Sequence, residues 1–197
     1  MTALAWSPWK EAGLSEKFLY LAYGSNLHPA RLKKRAPSAI VVDSAVELAG
    51  WALRFDKRSN DGSAKTAIAH TGNDNDYVRG VIFKLEQCDR KKLDKAEGLG
   101  KGYDEKWLSF DGHGRVLTYV ASNSHIDDKL QPYFWYRDFV LEGMRFHGFP
   151  EEYVRQVLDV PCERDPDDAR RLKNEALLKE LEETGPWEGL LQVGRTD

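Results

Sequence analysis

The chain has 197 residues, 41% of them hydrophobic and 11% aromatic, which is enough apolar material for one folded domain, or two small ones, and too much for a disordered chain. Lys plus Arg (29) nearly balances Asp plus Glu (32), for a formal net charge of −3, and this excludes a general affinity for nucleic-acid phosphates or anionic membranes. Cys88 and Cys162 form neither a CxxC pair nor a disulfide framework, which points to a reducing, cytoplasmic setting, and no run approaches the ~20 apolar residues of a spanning helix.

In chain order, residues 1–17 hold no continuous apolar segment of the signal-peptide kind and read as an N-terminal extension whose Trp6 and Trp9 pack on the body. Phe18–Tyr23 is an unbroken apolar run, expected to be a buried strand. Ser25 and Asn26 are placed to cap a helix that starts near His28-Pro29 and stops before Pro37. The basic run Arg31, Lys33, Lys34, Arg35 reads as a solvated helix face, with an anion contact as its alternative. Ile40–Leu48 is β-branched and strand-like, and Trp51, Leu53 and Phe55 alternate in a second strand with one wet face. After a polar loop at Ser59–Ser63, short strands follow at Thr66–His70 and Tyr77–Leu85. Gln87 to about Glu97 predicts a helix that ends at Gly98, and glycine-rich turns lead to strands at Trp107–Phe110 and Val116–Val120, joined by a hairpin turn. The last third predicts three helices, at Tyr133–Gly143, at Pro150–Leu158 and from Asp165-Pro166 to about Glu183. Strands first and helices last indicate an α+β domain around a curled or barrel-like sheet.

The motifs for metal and nucleophile chemistry are absent from this sequence. His28, His70, His113, His125 and His147 show no HxxxH or HExxH spacing, so no metal site is expected. Gly98-Leu-Gly-Lys-Gly102 lacks the spacing of a phosphate loop and reads as a turn. Ser25 stands in Tyr-Gly-Ser-Asn rather than G-x-S-x-G and is not read as a nucleophile. Two features remain. Tyr23-Gly24-Ser25-Asn26-Leu27 is a strand-to-helix turn, whose outward N–H groups suit a carboxylate or a developing oxyanion, with Gly24 allowing close approach to the backbone. Its plain alternative is a capped helix start. Glu97 sits at the predicted C-terminal end of a helix, where a carboxylate opposes the macrodipole, and burial there would raise its pKa toward the range of a general base. Its plain alternative is a solvated Glu beside a glycine cap.

Taken together, these segments resemble the γ-glutamylcyclotransferase family. The likeness rests on Tyr23-Gly-Ser-Asn-Leu27 after the first strand, on Arg79-Gly-Val-Ile-Phe83, and on Leu93-Asp-Lys-Ala-Glu-Gly98. Tyr136, placed ahead of Gly143, and Gly148-Phe-Pro-Glu-Glu-Tyr153 complete it, so that it covers residues 18–160 and leaves 161–197 as a C-terminal helical extension. The resemblance implies a small mixed β-barrel with flanking helices and a reaction without cofactor or metal that releases 5-oxoproline from a small γ-glutamyl compound. It implies Glu97 as general acid/base and the Tyr23, Gly24, Ser25, Asn26, Leu27 backbone as the γ-glutamyl cradle, with Tyr103 and Tyr136 lining the pocket. It implies no nucleic-acid or membrane partner and a monomer or homodimer. A cyclotransferase that removes a γ-glutamyl protecting group from a pathway intermediate, and a catalytically silent binding module on the same fold, are the alternatives.

Overall fold

The computed structural model describes residues 16–185; the N-terminal extension with Trp6 and Trp9, and the end of the chain from Pro186, lie outside the described residues. β1 (Lys17–Ala22) is the apolar run, and it lies in the middle of a five-stranded sheet of order β2-β5-β1-β7-β6. It pairs antiparallel with β5 (Tyr77–Glu86) and parallel with β7 (Gly114–Ala121). Neighbours on both edges and cover on both faces explain why this segment alternates so little in hydrophobicity. β2 (Ile40–Ala49) forms one edge and β6 (Tyr103–Phe110) the other, the latter paired to β7 through the turn at Asp111–His113. A two-stranded ribbon, β3 (Trp51–Arg58) with β4 (Ala64–His70), forms a separate sheet that packs on β5 and β7.

The sheet therefore stays open where a closed barrel was expected. Its edges are blunted rather than joined: β2 carries two register shifts, and β6 exposes Asp104, Glu105 and Lys106, both of which disfavour further pairing. The α+β class itself agrees with expectation.

Among the described residues, five α-helices complete the fold. α1 (Pro29–Lys33) is a single turn, and its cap is His28, whose Nδ1 accepts from the Ala30 N–H at 3.2 Å, in place of the expected Ser25 or Asn26. α2 (Arg90–Glu97) follows a 3₁₀ turn and closes at Gly98, which has φ 71°. α3 (Phe134–Phe146) buries Phe139, Val140 and Met144 in the main core beside Leu27, Leu32 and Phe83. α4 (Glu151–Leu158) and α5 (Asp168–Glu182) flank α3, and Leu178 and Leu181 of α5 belong to the same core. Asp165, 1% exposed, fixes the approach to α5 by accepting from Trp135 Nε1 at 2.8 Å and from Arg170 Nε at 2.7 Å.

Two glycines set the spacing around the turn after β1. A Cβ on Gly143 of α3 would lie 2.4 Å from Leu27 Cβ and 2.9 Å from the His28 nitrogen. A Cβ on Gly24 would lie 2.2 Å from Thr66 Oγ1. Helix and ribbon thus press on the turn from two sides, and Gly24 makes room for Thr66 where the sequence suggested room for a ligand.

Candidate active site

The turn after β1, the end of α2, the ribbon and α3 meet at one pocket. Its walls include Tyr20 of β1, Thr66 of β4, Tyr103 of β6, Tyr119 of β7, Tyr136 of α3 and Glu97 of α2. Tyr23, Gly24, Ser25 and Asn26 line it as well. Leu27 does not: its side chain is fully buried in the core, its N–H donates to the Gly24 carbonyl at 2.9 Å, and its carbonyl meets His147 Nε2 at 2.9 Å. Leu27 anchors the turn, and its N–H is not free for a ligand. The N–H groups of Gly24, Ser25 and Asn26 find no protein acceptor among the described residues. Because α1 is only one turn long, these N–H groups, rather than a helix macrodipole, are what the turn offers an anion.

Asn26 organises the centre. It is 3% exposed, and its Nδ2 donates to Glu97 Oε1 in a short hydrogen bond and to the Tyr20 hydroxyl at 3.2 Å. Its Oδ1 accepts from Arg35 Nη1 at 2.8 Å, and the same guanidinium nitrogen lies 3.5 Å from Glu97 Oε1. The carboxamide orientation is thereby fixed from both ends, and Glu97 is fixed with it. The Glu97 side chain is 15% exposed. Burial pushes its pKa above the ordinary carboxylate value, and this outweighs the opposing pull of Arg35, the Asn26 hydrogen bond, Arg31 and Lys57.

The tyrosines are held through their hydroxyls. Tyr23 donates to the Tyr119 carbonyl at 2.6 Å and Tyr103 to the Thr66 carbonyl at 2.5 Å. The Tyr136 hydroxyl accepts from the Thr66 N–H at 3.0 Å and lies 2.8 Å from Thr66 Oγ1. Tyr119 donates to Asp94 Oδ1 at 2.5 Å, which ties β7 to α2 one turn before Glu97. Burial drives the phenol pKa of Tyr20, Tyr23, Tyr103, Tyr119 and Tyr136 upward, with Glu97 adding to the shift in each. The phenols therefore stay neutral, and Glu97, with its pKa raised by burial, is the carboxyl that lines this pocket.

The sequence reading missed several residues of the site. Tyr20 and Tyr119 sit on segments read only as strands, and Thr66 was read only as a strand start. The basic run departs most from expectation. Arg31 is 7% exposed, with its guanidinium 3.8 Å from the Phe139 ring centroid, and Arg35 holds Asn26 and Glu97. The (i, i+4) spacing of Arg31 and Arg35 puts both on one face, and that face turns inward.

No family model matches the chain. Curated proteins named gamma-glutamylcyclotransferase are similar to it: that of Bos taurus is 29% identical over 151 residues, covering 72% of this chain and 78% of the relative, and that of Homo sapiens is 29% identical over 153 residues with the same coverage. Among solved structures, one titled gamma-glutamyl cyclotransferase aligns with a TM-score of 0.66 at 23% identity, over 84% of this chain and 99% of its own. An uncharacterized human protein aligns with a TM-score of 0.66 at 24% identity, over 83% and 99%. The α+β architecture is shared with both.

Proposed function

We infer that this chain, similar to gamma-glutamylcyclotransferases in sequence and in fold, is an enzyme of that kind: it cyclises a γ-glutamyl amide or peptide to 5-oxoproline and releases a free amine or amino acid. The observation that carries the reading is Glu97, a carboxyl of raised pKa pinned by Asn26 at the mouth of a tyrosine-walled pocket.

The chemistry follows from the groups present. The substrate's α-amino group titrates near ~8 and is largely an inert ammonium at neutral pH. Glu97 accepts its proton. The freed nitrogen attacks the γ-carbonyl carbon, and a C–N bond closes the five-membered ring. The tetrahedral oxyanion lies against the free N–H groups of the turn, each such donor contributing on the order of 3 kcal/mol in related oxyanion sites. As the original amide C–N bond breaks, Glu97 returns the proton to the departing nitrogen; the ring nitrogen then gives up one of its two remaining protons through the freed Glu97 carboxylate, leaving a neutral lactam and an amine released as its ammonium. One carboxyl serves both steps because its raised pKa lies closer to neutrality. The substrate supplies its own nucleophile, and the pocket holds the γ-glutamyl chain curled so that nitrogen and carbonyl meet. Tyr23, Tyr103 and Tyr136 shape that curl, and the Gly24–Asn26 backbone cradles the γ-glutamyl group.

We place the reaction in the cytoplasm on the strength of the free Cys88 and Cys162. A panel of γ-glutamyl amino acids, γ-glutamyl amines and glutathione, assayed for 5-oxoproline, tests the function. Glu97→Gln is expected to keep the fold and to lower turnover by about 10²-fold or more; undiminished 5-oxoproline release by that variant would overturn the assignment.

A further inference from the structure

Beside the tyrosine pocket, and continuous with it through Ser25, Glu97, Tyr103 and Tyr136, lies an outer cavity of about 540 Å³. That is ample for an amino acid or short peptide. Its wall is strongly cationic. Arg31 and Lys57 line it and are each only 7% exposed. Arg31 stacks on Phe139; its Nε has no hydrogen-bond partner, and among the described residues no carboxylate lies within ion-pair distance of its guanidinium. Lys57 Nζ lies 4.6 Å from the Tyr103 ring centroid and likewise has no carboxylate in ion-pair distance among the described residues. The other cations are accounted for differently. Arg35 is engaged by Asn26 and Glu97, Lys65 is held by Asp61 at 2.8 Å, and Lys95 and Lys101 are exposed at the rim.

Two buried cations whose nearby carboxylates, Glu97 for both and Asp61 for Lys57, stay beyond ion-pair distance carry a standing electrostatic penalty, since a charge removed from water needs a close partner. Burial and Arg35 lower the Arg31 pKa to about 9, so its guanidinium remains protonated at neutral pH, and burial also lowers the pKa of Lys57. The γ-glutamyl half of the substrate does not meet this demand. In the mechanism above it occupies the inner pocket, which neither Arg31 nor Lys57 lines. The anions must come from the other half of the molecule.

Resting on the cyclotransferase reading, we propose that the outer cavity selects a dianionic leaving group: an acidic amino acid, or a peptide with two carboxylates, joined to the γ-glutamyl group, with one carboxylate on Arg31 and the other on Lys57. A singly charged leaving group would satisfy one cation and leave the other buried and unpaired, and a neutral amine would satisfy neither. Arg31 suits a planar, two-point grip because its guanidinium is already oriented by the ring of Phe139.

The test compares γ-glutamyl-glutamate with its near-isosteric neutral counterpart γ-glutamyl-glutamine, scored as 5-oxoproline released by the wild-type chain. We expect kcat/KM at least 10-fold higher for the glutamate compound, carried mainly by KM. Lys57→Gln is expected to reduce that ratio several-fold, and Arg31→Gln, whose folding is checked by thermal melting, to do the same. Equal rates, or faster release from γ-glutamyl-glutamine, would overturn the proposal while leaving the cyclotransferase reading intact. Absence of 5-oxoproline from every γ-glutamyl compound would overturn that reading, and the leaving-group assignment with it.

Discussion

At the residue scale, Asn26 deserves as much weight as Glu97. Its carboxamide joins the turn after β1 to the end of α2, and its hydrogen bond to Glu97 lowers a pKa that burial raises. Asn26→Ala removes that opposing influence. The Glu97 pKa then moves further up, and the deprotonated form needed to accept the substrate's proton appears only at higher pH. The acidic limb of the kcat/KM profile is expected to shift to higher pH in this variant, with kcat lowered by about 10-fold through lost positioning. A pH series of 5-oxoproline release reads both effects. Glu97 itself was legible in the sequence because a carboxylate at a helix C-terminus is locally unfavourable and because the surrounding residues resemble a known family. Arg31 was not legible. In a chain of residues a basic run looks the same whether it faces water or an aromatic ring, and only the seat of Phe139 beneath it decides.

At the element scale, the strands and helices followed from periodicity, glycine and proline placement, and cap chemistry. Sheet closure did not, because it depends on register and bulges that single segments do not encode. The same holds for the start of α1, where local capping rules favour Ser25 or Asn26. Tertiary contacts instead commit Asn26 to Glu97 and leave the cap to His28. α3 carries both a pocket wall, Tyr136, and the flat spot at Gly143 on which the turn rests. Gly143→Ala has no flexible neighbour to displace, since the atoms it meets are Leu27 Cβ and backbone. The variant is expected to lose about 1–3 kcal/mol of stability and much of its activity together, because helix and turn must separate. Chemical denaturation and the 5-oxoproline assay measure the two losses.

At the scale of the whole molecule, two histidines lock the turn to distant segments, His28 to the chain beyond α5 and His147 to the end of α3. His28, fully buried, lies 3.2 Å by its Nε2 from Thr184 Oγ1, just beyond α5. His147, 2% exposed, uses Nε2 to reach the Leu27 carbonyl while its Nδ1 lies buried without a partner. Burial lowers both pKa values to about 4. A histidine whose folded pKa is depressed favours the folded state fully above its unfolded pKa near ~6.5, and that contribution is lost as pH falls toward the folded value. Thermal stability is therefore expected to decline between about pH 6.5 and 4, by roughly a few kcal/mol for the pair. His147→Gln is expected to flatten that decline, as a pH series of melting temperatures would register. The segment beyond residue 160 read from sequence as an appendage, yet Leu178, Leu181 and Asp165 bind it into the core. Charged helices with few apolar positions give little sign of such docking.

The tyrosine cage also changes how the protein interacts with light. A phenol absorbs differently once it loses its proton, and the five around the pocket are held in their protonated form by burial and by Glu97. Those rings are expected to ionise only at higher pH than a free phenol while the walls stand. Opening of the pocket would let them ionise at ordinary alkalinity, so the rise of phenolate absorbance along an alkaline titration would report the integrity of the active site.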